Sequence, residues 1–408
     1  MRLLRESNNP VTRECLEKSI NSFISWIENF GYESYDVYDF WSSRAGISAK
    51  RLFNSNKFFA SPLVGGIQIL DSFLPRSRYL FAKKKRFPMS DAQLASAFLN
   101  YYHITNNIRF LEKANDLLKQ LLVVATKTKH GLGWGNPYDW VTMFFEYSAN
   151  SPLITVTPYC FDAFLKAYEI THEENYYKTL EQISTFVALD IREIDFKDNT
   201  TGSSYGSDDD SLIYNAIAYR SNVLLKAGLL FNNVNYIEKS RRNIDFVIKH
   251  QNQDGSWFYA KNSKFIDNFH SCFVLKNIAQ AYNYYKEDYM LFSLRNGFSF
   301  YLDNFVRPDG TLRHFYRSKY PKFRQIEFYD YAEAIKLGTF LKDIIPEAFS
   351  LSMNLSNQLI NNFQTREGYF YTRINLLNFK NRIPYLRWPQ AQIFNSLTLL
   401  LLNLLDSE

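Results

Sequence analysis

Two kinds of helical segment alternate along the chain. In one kind, apolar residues occur on nearly every face, as in DAFLKAYEI and HSCFVLKNIAQAY. In the other, such as NYIEKSRRNIDFVIKHQ, one face is charged. A helix that is apolar all round is buried on every side, whereas an amphipathic helix keeps one face in solvent. The alternation therefore predicts inner helices that are each followed by an outer one.

The helical period of the apolar positions predicts five such pairs. They are 90–107 with 108–126, 155–170 with 172–188, 209–228 with 233–251, 267–285 with 287–305, and 326–343 with 345–363. A first helix at 11–31 and a last helix at 387–406 form a sixth pair, with the first helix outside the last. The predicted fold class is therefore all-α, an (α/α)6 toroid formed by a single domain, 1–408. An open solenoid of the same units is the alternative.

Short aromatic turns that contain glycine separate these helices. They are HGLGWGNP, NQDGSWFYA, RPDGTLRHFY and TREGYFYTR, and the last three lie about 55 residues apart. A D-G or E-G step is a tight-turn signal, and the alternating residues after it favour a short β-hairpin. We therefore expect short β-hairpins in the loops at one rim of the ring.

The composition is that of an ordinary globular protein with one bias. Hydrophobic residues make up 46% of the chain and charged residues 22%, but aromatic residues reach 17%. Such an excess suits either a thick helical core or a cleft whose rings stack on sugars. The net charge of +6 is modest, and the one dense basic run, AKKKRF, lacks the interleaved Gly or aromatic residues that grip nucleic acid. We expect that run to be a solvated loop and the protein to have no nucleic-acid partner.

The sequence predicts no metal site, cofactor or transmembrane segment. Cys15, Cys160 and Cys272 are widely spaced and form no CxxC pair, which favours reduced thiols in a cytoplasmic protein. Neither a GxGxxG nor an HExxH motif occurs, although a calcium ion at SDDDS stays open. The longest apolar run, LTLLLLNLL, is shorter than the roughly 20 residues of a bilayer span. The residues MRLLRESNNP lack the apolar core of a secretion signal.

Polar and aromatic residues collect where the predicted inner helices begin. In a toroid these helix starts share one rim, and helix N-termini favour anions. The candidates are Trp134, Asn136, Asp139 and Trp140 before the second inner helix, Tyr159 and Asp162 at its start, Asp208, Asp209, Asp210 and Tyr214 at the third, Asp267, Asn268 and His270 at the fourth, Glu327 and Asp330 at the fifth, and Arg387, Trp388, Gln390 and Gln392 at the sixth.

Helix capping is the competing explanation for each acid, because Asp and Asn are ordinary N-caps worth about 1 kcal/mol. Two features favour chemistry instead. GSDDDSL supplies three acids where one is enough, and His270 is not a usual capping partner. Carboxylates, an imidazole and tryptophan planes at one rim are typical of a sugar site, where rings stack on the pyranose and carboxylates act as acid or base. We interpret Asp267 as both a cap and a site residue.

Six segments, in order over nearly the whole chain, resemble a bacterial and archaeal family tied to surface-polysaccharide genes. They are YESYDVYDFWSS, GWGNPYDW, SPLITVTPY, DGSWFYA, FIDNFHSCFVL and RIPYLRWPQAQIFNSL. The family consists of polysaccharide biosynthesis proteins of the VpsJ type and is similar to the six-hairpin glycosidase superfamily, which implies a toroid. Some members are labelled delta-aminolevulinic acid dehydratase, a β/α barrel that the absence of strand–helix alternation here does not support.

The resemblance carries the family pattern onto a defined set of positions. These are Tyr35, Asp36, Tyr38, Asp39, Asp139, Trp140, Asp267, Asn268, His270, Arg387, Trp388 and Gln390. The chain departs from the pattern in two places. Tyr329 stands where relatives have a His after the acid that Glu327 replaces, and Val141 stands where they tend to have Gln. The first departure puts in doubt whether the activity of the relatives is kept.

These observations predict a carbohydrate-active protein, expected to be an enzyme, of capsule, O-antigen or exopolysaccharide biosynthesis. Its partner would be a free or lipid-linked oligosaccharide or polysaccharide in the central funnel. The expected catalytic residues are Asp267, His270, Asp208, Asp209 and Glu327. The expected substrate-binding residues are Tyr35, Asp36, Trp134, Asp139, Trp140, Tyr159, Tyr214, Asn268, Tyr329, Asp330, Arg387, Trp388 and Gln390.

The chemistry stays open at this point. A hydrolase would use two carboxylates, Asp267 and one of 208–210. A uronate epimerase or lyase would use His270 or a tyrosine as base, with Arg387 holding the sugar carboxylate. A non-catalytic glycan-binding or scaffold protein is the alternative from another class. A terpene-type cyclase, suggested by QNQDGSW and the acids of SDDDS, is the weakest hypothesis.

Overall fold

The computed structural model describes residues 11–316 and 324–405, so residue 406 of the predicted last helix lies outside the described part. The helices are α1 (Arg13–Phe30), α2 (Asp39–Ser42), α3 (Arg44–Ser55), α4 (Lys57–Phe73), α5 (Pro88–Thr105), α6 (Ile108–Val123), α7 (Thr157–Thr171), α8 (Glu174–Thr185), α9 (Tyr214–Leu230), α10 (Val234–Lys249), α11 (Asn268–Tyr285), α12 (Asp288–Phe305), α13 (Phe328–Phe340), α14 (Glu347–Phe363) and α15 (Ala391–Leu405). Single 3-10 or π turns occur at Pro75–Leu80, Phe186–Asp190, Leu376–Asn378 and Leu386–Gln390.

Six helices form a closed inner ring. In order they are α5, α7, α9, α11, α13 and α15, and each packs on the next, with α15 packing back on α5. The outer helices α6, α8, α10, α12 and α14 each pack on the inner helix that precedes them, and α1 packs on α15. The fold is therefore the predicted all-α toroid of six hairpins, and the contact between α15 and α5 excludes an open solenoid.

The two rims of the ring differ in the length of their loops. Inner helices connect to outer ones by tight turns, four of which pass through a left-handed residue: Asn106, His172, Asn232 and Lys286, with φ of 52°, 55°, 53° and 55°. The return connections to the inner helices are long and carry the strands. These form antiparallel pairs β1 (Thr126–Lys127) with β2 (Leu132–Gly133), β3 (Trp140–Val141) with β4 (Glu146–Tyr147), β5 (Glu193–Asp195) with β6 (Thr201–Ser203), and the sheet β7 (Arg324–Glu327), β8 (Arg373–Asn375), β9 (Phe379–Asn381). The predicted concentration of β-hairpins at one rim is thus confirmed.

The main difference from the sequence prediction is a helical insertion between the first and second hairpins. Helices α2, α3 and α4 occupy 39–73, where no helix was predicted. The stretch combines Pro62 with Gly46, Gly65 and Gly66, which are poor helix formers. Only Phe40 and Ile67 among its large apolar side chains are buried, so it also lacks the buried stripe by which the other helices were recognised.

Candidate active site

An imidazole and a carboxylate form a pair at the start of α11. Asp267 is the N-cap, and its Oδ1 accepts from the backbone N–H of His270 at 3.1 Å. Both Asp267 oxygens also lie within hydrogen-bond distance of His270 Nδ1, at 2.7 and 2.8 Å. Asp267 is buried, whereas 23% of the His270 side chain is exposed. The carboxylate therefore orients the ring and leaves Nε2 as the other basic atom.

A small cavity adjoins this imidazole. Its volume is about 10 Å³, which holds about one water molecule or one hydroxyl group. The lining includes His270, Asp267, Asn215, Trp257 and Tyr259. The Oδ1 atom of Asn215 is buried and has no hydrogen-bond partner within the protein. The same cavity is therefore lined by the Asp267–His270 pair and by the free acceptor atom of Asn215.

A second imidazole–carboxylate pair lies behind the first, fully buried. His314 Nδ1 lies 2.9 Å from Asp330 Oδ2, and Glu327 stands one turn earlier at the start of α13. Burial raises the pKa of Asp330 well above its ordinary value, and the charges of Glu327 and Asp267 raise it further. Burial lowers the pKa of His314 to about 4. This environment therefore favours the protonated form of Asp330, and the imidazole of His314 is neutral at neutral pH.

A network of arginines and carboxylates ties the rim loops together. Arg387 binds Asp36 through two hydrogen bonds, of 2.8 and 2.5 Å, and Asp36 is completely buried. Arg78 binds Asp71, and Asp71 also accepts from Arg373 at 3.0 Å. Arg373 in turn lies 3.5 Å from Glu327. The insertion, the β8 strand and the start of α13 are thereby locked to one another.

Asp39 belongs to this network and makes it sensitive to pH. Burial raises its pKa to about 7, and the neighbouring charge of Asp36 contributes. Because the native carboxyl keeps its proton to higher pH than the unfolded one, its stabilisation is full below about pH 4 and is lost as the pH rises through 7. We expect wild type to lose about 2 kcal/mol of unfolding free energy relative to Asp39→Asn between about pH 4 and pH 8. Urea denaturation across that range measures the difference, and two parallel curves would contradict the assignment.

An aromatic collar lines the rim in two runs of ring contacts, Tyr138–Tyr38–Trp140 and Trp388–Phe269–His270–Tyr259–Phe144. Neighbouring ring centroids lie 4.1 to 6.2 Å apart. The guanidinium of Arg387 bridges one gap, since its Cζ is 5.8 Å from the Tyr138 ring and 5.7 Å from the Trp388 ring. The members of the collar are Tyr38, Tyr138, Trp388, Phe269, His270, Tyr259, Phe144 and Trp140. Rings in this arrangement can stack on the apolar face of a sugar.

The tyrosines at the rim are proton donors rather than bases. Burial raises the pKa of Tyr159, Tyr219, Tyr259 and Tyr329 well above 10. Tyr159 and Tyr219 share a hydrogen bond of 2.7 Å. Tyr329 stacks on Trp388 with centroids 3.7 Å apart and an angle of 9°. None of these phenols supplies a tyrosinate at neutral pH, which removes one of the two bases considered from the sequence.

A lysine of the insertion also reaches the collar. Lys50 Nζ contacts the hydroxyl of Tyr38, donates to the carbonyl of Val141 at 3.1 Å and lies 4.1 Å from the Tyr38 ring centroid. Burial lowers its pKa to about 7. The sequence analysis did not select Lys50, because its helix was not predicted. His314 was also overlooked, although it lies in RPDGTLRHFY, a turn already assigned to the rim.

The acids of GSDDDSL do not open a helix as predicted, since α9 begins only at Tyr214. Asp208 and Asp210 are exposed, whereas Asp209 accepts hydrogen bonds from the backbone of Tyr205, Gly206 and Ser211. Burial acts to raise the pKa of Asp209, but hydrogen bonds from Ser211 and Tyr147 outweigh it and hold the pKa below its usual range. Asp209 therefore organises a turn as an ionised carboxylate, a state unsuited to a general acid.

Several other candidates are committed to structural contacts. Trp134 is fully buried and donates to the Leu121 carbonyl at 2.7 Å, so it offers no stacking face to a ligand. Tyr214 packs on Phe246 and His250 of the outer helix α10. These contacts do not support the substrate-binding roles expected of Trp134 and Tyr214.

The remaining polar candidates are mostly engaged as well. Asn268 accepts from Tyr301 and donates to the Arg313 carbonyl. Gln390 exchanges two hydrogen bonds with the backbone of Phe370, and exposed Asp139 accepts from Ala149 N. Tyr35, half-buried, stacks on Tyr79. Asn136 is buried in the loop before α7, and Asp162 pairs with Lys226.

Buried polar atoms that have no hydrogen-bond partner are concentrated at the starts of the inner helices. They include both carboxylate oxygens of Glu327, Oδ1 of Asp330, Nε1 of Trp388 and both amide atoms of Gln392. A buried polar group without a partner costs about 1–3 kcal/mol, and native proteins carry few of them. Their concentration at one rim marks this rim, rather than the opposite one, as a place adapted to function.

The described residues give two further findings. Across 11–316 and 324–405, no three His, Cys, Asp or Glu side chains are grouped so that they could hold a metal ion. In the same part of the chain, no helix combines the length and the apolar character that crossing a membrane requires.

Comparisons with known proteins agree with the fold. No protein-family model and no curated protein matches the chain. An unsaturated glucuronyl hydrolase specific for heparin is similar in structure, with a TM-score of 0.63, 11% identity, and coverage of 95% of this chain and 97% of that one. A cellobiose 2-epimerase from Bacillus thermoamylovorans B4167 gives 0.62 and 11%, covering 79% and 88%. An alpha-1,6-mannanase from Salegentibacter sp. HEL1_6 gives 0.56 and 11%, covering 80% and 92%. At such identities the likeness shows a shared toroid fold.

Proposed function

We propose that this protein is an enzyme that removes a proton from a sugar of a cell-surface polysaccharide or of its free or lipid-linked precursor. The observation that carries the proposal is the Asp267–His270 pair, a partly exposed imidazole held by a buried carboxylate inside an aromatic collar. The similar structures support a carbohydrate substrate, because they include a glucuronyl hydrolase, an epimerase and a polysaccharide lyase. The resemblance of six sequence segments to surface-polysaccharide proteins supports the setting.

The proposed step begins with His270 Nε2 taking the proton at C5 of a uronic acid. The electron pair left on C5 is delocalised into the carboxyl group of the sugar. In a lyase it then forms a C4–C5 double bond, the C4–O bond breaks and the leaving oxygen gains a proton. In an epimerase a proton returns to the opposite face of C5. The imidazolium that forms is stabilised by the Asp267 carboxylate, as in other His–carboxylate pairs.

Protonated tyrosines of the collar supply the acid for this step. Tyr259 lies against His270, with centroids 4.7 Å apart, and its raised pKa keeps its proton available. This reasoning favours His270 over a tyrosine as the base, a choice that the sequence left open. It also gives Tyr329 a stacking role in place of the imidazole expected from the family pattern.

The cation that faces the sugar carboxylate is Lys50 rather than Arg387. The Nε and Nη2 atoms of Arg387 are already used on Asp36, which neutralises its charge. Lys50 has no carboxylate within 4 Å in the described part of the chain, and its pKa of about 7 makes its charge depend on a bound anion. A uronate would restore the full charge of the ammonium group by favouring its protonated form.

A glycoside hydrolase is the second candidate, and the raised pKa of Asp330 favours it. A retaining or inverting glycosidase needs one protonated and one ionised carboxyl group. The raised pKa of Asp330 provides the first, and Asp267 is a candidate for the second. The burial of Asp330 behind His314 is the reason for ranking this chemistry below proton abstraction.

Exchange of hydrogen for deuterium separates the candidates. The purified protein is incubated in D₂O with uronate-containing oligosaccharides and, in parallel, with neutral mannose and glucose oligosaccharides. Deuterium at C5, or a new C4–C5 double bond, observed by NMR supports proton abstraction. New reducing ends without either change support hydrolysis. Binding without any reaction would overturn both and support the glycan-binding or scaffold alternative.

A further inference from the structure

The inserted helices α3 and α4 carry an unusually apolar outer surface. Ten large apolar side chains between residues 52 and 81 are exposed, and Leu80, Phe58 and Phe59 are exposed by 89%, 83% and 71%. The set is Leu52, Phe58, Phe59, Leu63, Ile69, Leu70, Leu74, Tyr79, Leu80 and Phe81. By contrast, only Phe40, Ala49 and Ile67 form the buried core of the insertion. The insertion thus exposes more large apolar groups than it buries.

These side chains form a face rather than a scatter. Phe59, Leu63, Leu70 and Leu74 recur at helical spacing along one side of α4. The turn between β8 and β9 extends the face, because Phe379 contacts Phe73 and the neighbouring Leu377 is 86% exposed. We call the ten side chains together with Leu377 and Phe379 the apolar face. Contiguous apolar surface of this kind marks an interaction site.

The charge around the apolar face is of one sign. Residues 44–86 contain ten Lys or Arg and a single acid, Asp71, which is buried in its ion pairs with Arg78 and Arg373. Arg44, Arg51, Lys57, Arg76, Lys83 and Lys84 are exposed. The basic run AKKKRF, which the function above does not use, is part of this border. The surface is therefore an apolar patch with a cationic edge.

We propose that the apolar face docks in the plane of an anionic membrane surface. Phenylalanine and leucine on one side with lysine and arginine around them are the features of helices that lie in a lipid interface. Each such cation near anionic headgroups raises the affinity for the membrane by about a factor of five. A second copy of the chain would present the same cationic edge and be repelled, and protein interfaces are depleted in lysine.

Docking would bring the collar to the membrane. The insertion is fixed to the rim by Asn54 Nδ2 donating to the Thr142 carbonyl at 2.7 Å and by the Arg51–Glu146 pair at 3.0 Å. Lys50 and Tyr38 connect the same insertion to the aromatic collar. The proposed catalytic rim would then work next to the bilayer, where a lipid-linked glycan is held. The docking itself is independent of the proposed function.

Vesicle flotation tests the docking. The full chain is mixed with phosphatidylcholine vesicles, with or without phosphatidylglycerol, at low and high salt. We expect the protein to bind the anionic vesicles at low salt. Binding to neutral vesicles, or to anionic vesicles at high salt, should be at least about tenfold weaker. The variant Phe58→Ser/Phe59→Ser/Leu80→Ser should bind at least about tenfold more weakly than wild type. Phe292→Ser, on α12 with 68% exposure, is the matched control and should bind like wild type.

A failure of membrane docking can be distinguished from a failure of the proposed enzymatic activity. All four substitutions are at exposed positions, so thermal unfolding and turnover of a soluble glycan should match wild type. Absence of binding to anionic vesicles, or equal binding by the triple variant, overturns the proposal. A dimer in light scattering that the triple variant converts to monomer, without vesicle binding, would overturn it in favour of a second copy as the occupant.

Discussion

His270→Ala is expected to lower the turnover number for glycan modification by about a thousandfold. A positioned general base contributes about 10²–10⁴ to a rate, and the alanine variant has no other imidazole in the collar. Helix α11 should still form in this variant, because Asp267 still caps it. Position 270 is partly exposed, so the uncharged methyl group of alanine is tolerated there. The rate of deuterium entry at C5 and a denaturation curve for each protein measure the two effects.

The matched control is His103→Ala. His103 is exposed near the end of α5, at the rim opposite the collar, so the same substitution there should leave the rate unchanged. Asp267→Asn refines the result, because asparagine is as good a cap as aspartate but cannot stabilise an imidazolium. Equal activity in the His270 and His103 variants would place the base elsewhere.

Asp36→Ala is expected to lower the free energy of unfolding by about 3–5 kcal/mol. Arg387 is buried against aromatic rings, and Asp36 is its only carboxylate partner among residues 11–316 and 324–405. Removing that partner leaves an unpaired cation in a medium that solvates it poorly. Arg387 does not avoid this cost by losing its proton, because the arginine guanidinium stays protonated in proteins. Chemical denaturation of the purified variant measures the loss.

An exposed ion pair provides the comparison. Arg13 and Glu17 are 2.8 Å apart, with side chains 51% and 35% exposed, so Glu17→Ala should cost less than about 1 kcal/mol. The double variant Asp36→Leu/Arg387→Met removes both buried charges and should recover much of the loss. If Asp36→Ala costs no more than Glu17→Ala, Arg387 does not depend on Asp36.

Helix periodicity predicted the hairpins well because packing in the ring determines which faces of each helix are apolar. An inner helix packs against neighbours on every side, whereas an outer helix packs on one side only. Each environment requires its own pattern of apolar positions over many residues. Five predicted pairs and the closing pair match observed helices within a few residues at most ends. The largest shifts, at Tyr214 and Ala391, occur where a loop with Asp or Pro enters the helix.

The rim could be predicted only in outline. The Asp267–His270 pair is local in sequence, four residues from end to end, and its spacing was visible. The partner of Asp330 is His314, and that of Arg387 is Asp36, 351 residues away, which no local pattern reveals. The roles of Asp209 and Trp134 depended on which backbone groups happen to lie nearby, a property of the packed loops. The insertion escaped notice because its apolar residues face outward.

Closure of the ring by α1 against α15 has a consequence for how the protein is made. The first helix and Asp36 leave the ribosome early, but their partners on α15 and at Arg387 are synthesised after five other inner helices. Until then α5 and α13 each present an uncovered apolar side, and the Asp36 carboxylate has no counter-ion. Contacts so distant along the chain form slowly. We therefore expect that ribosome-bound chains halted before α15 are retained by chaperones, and that release and protease resistance appear together once the last inner helix is complete.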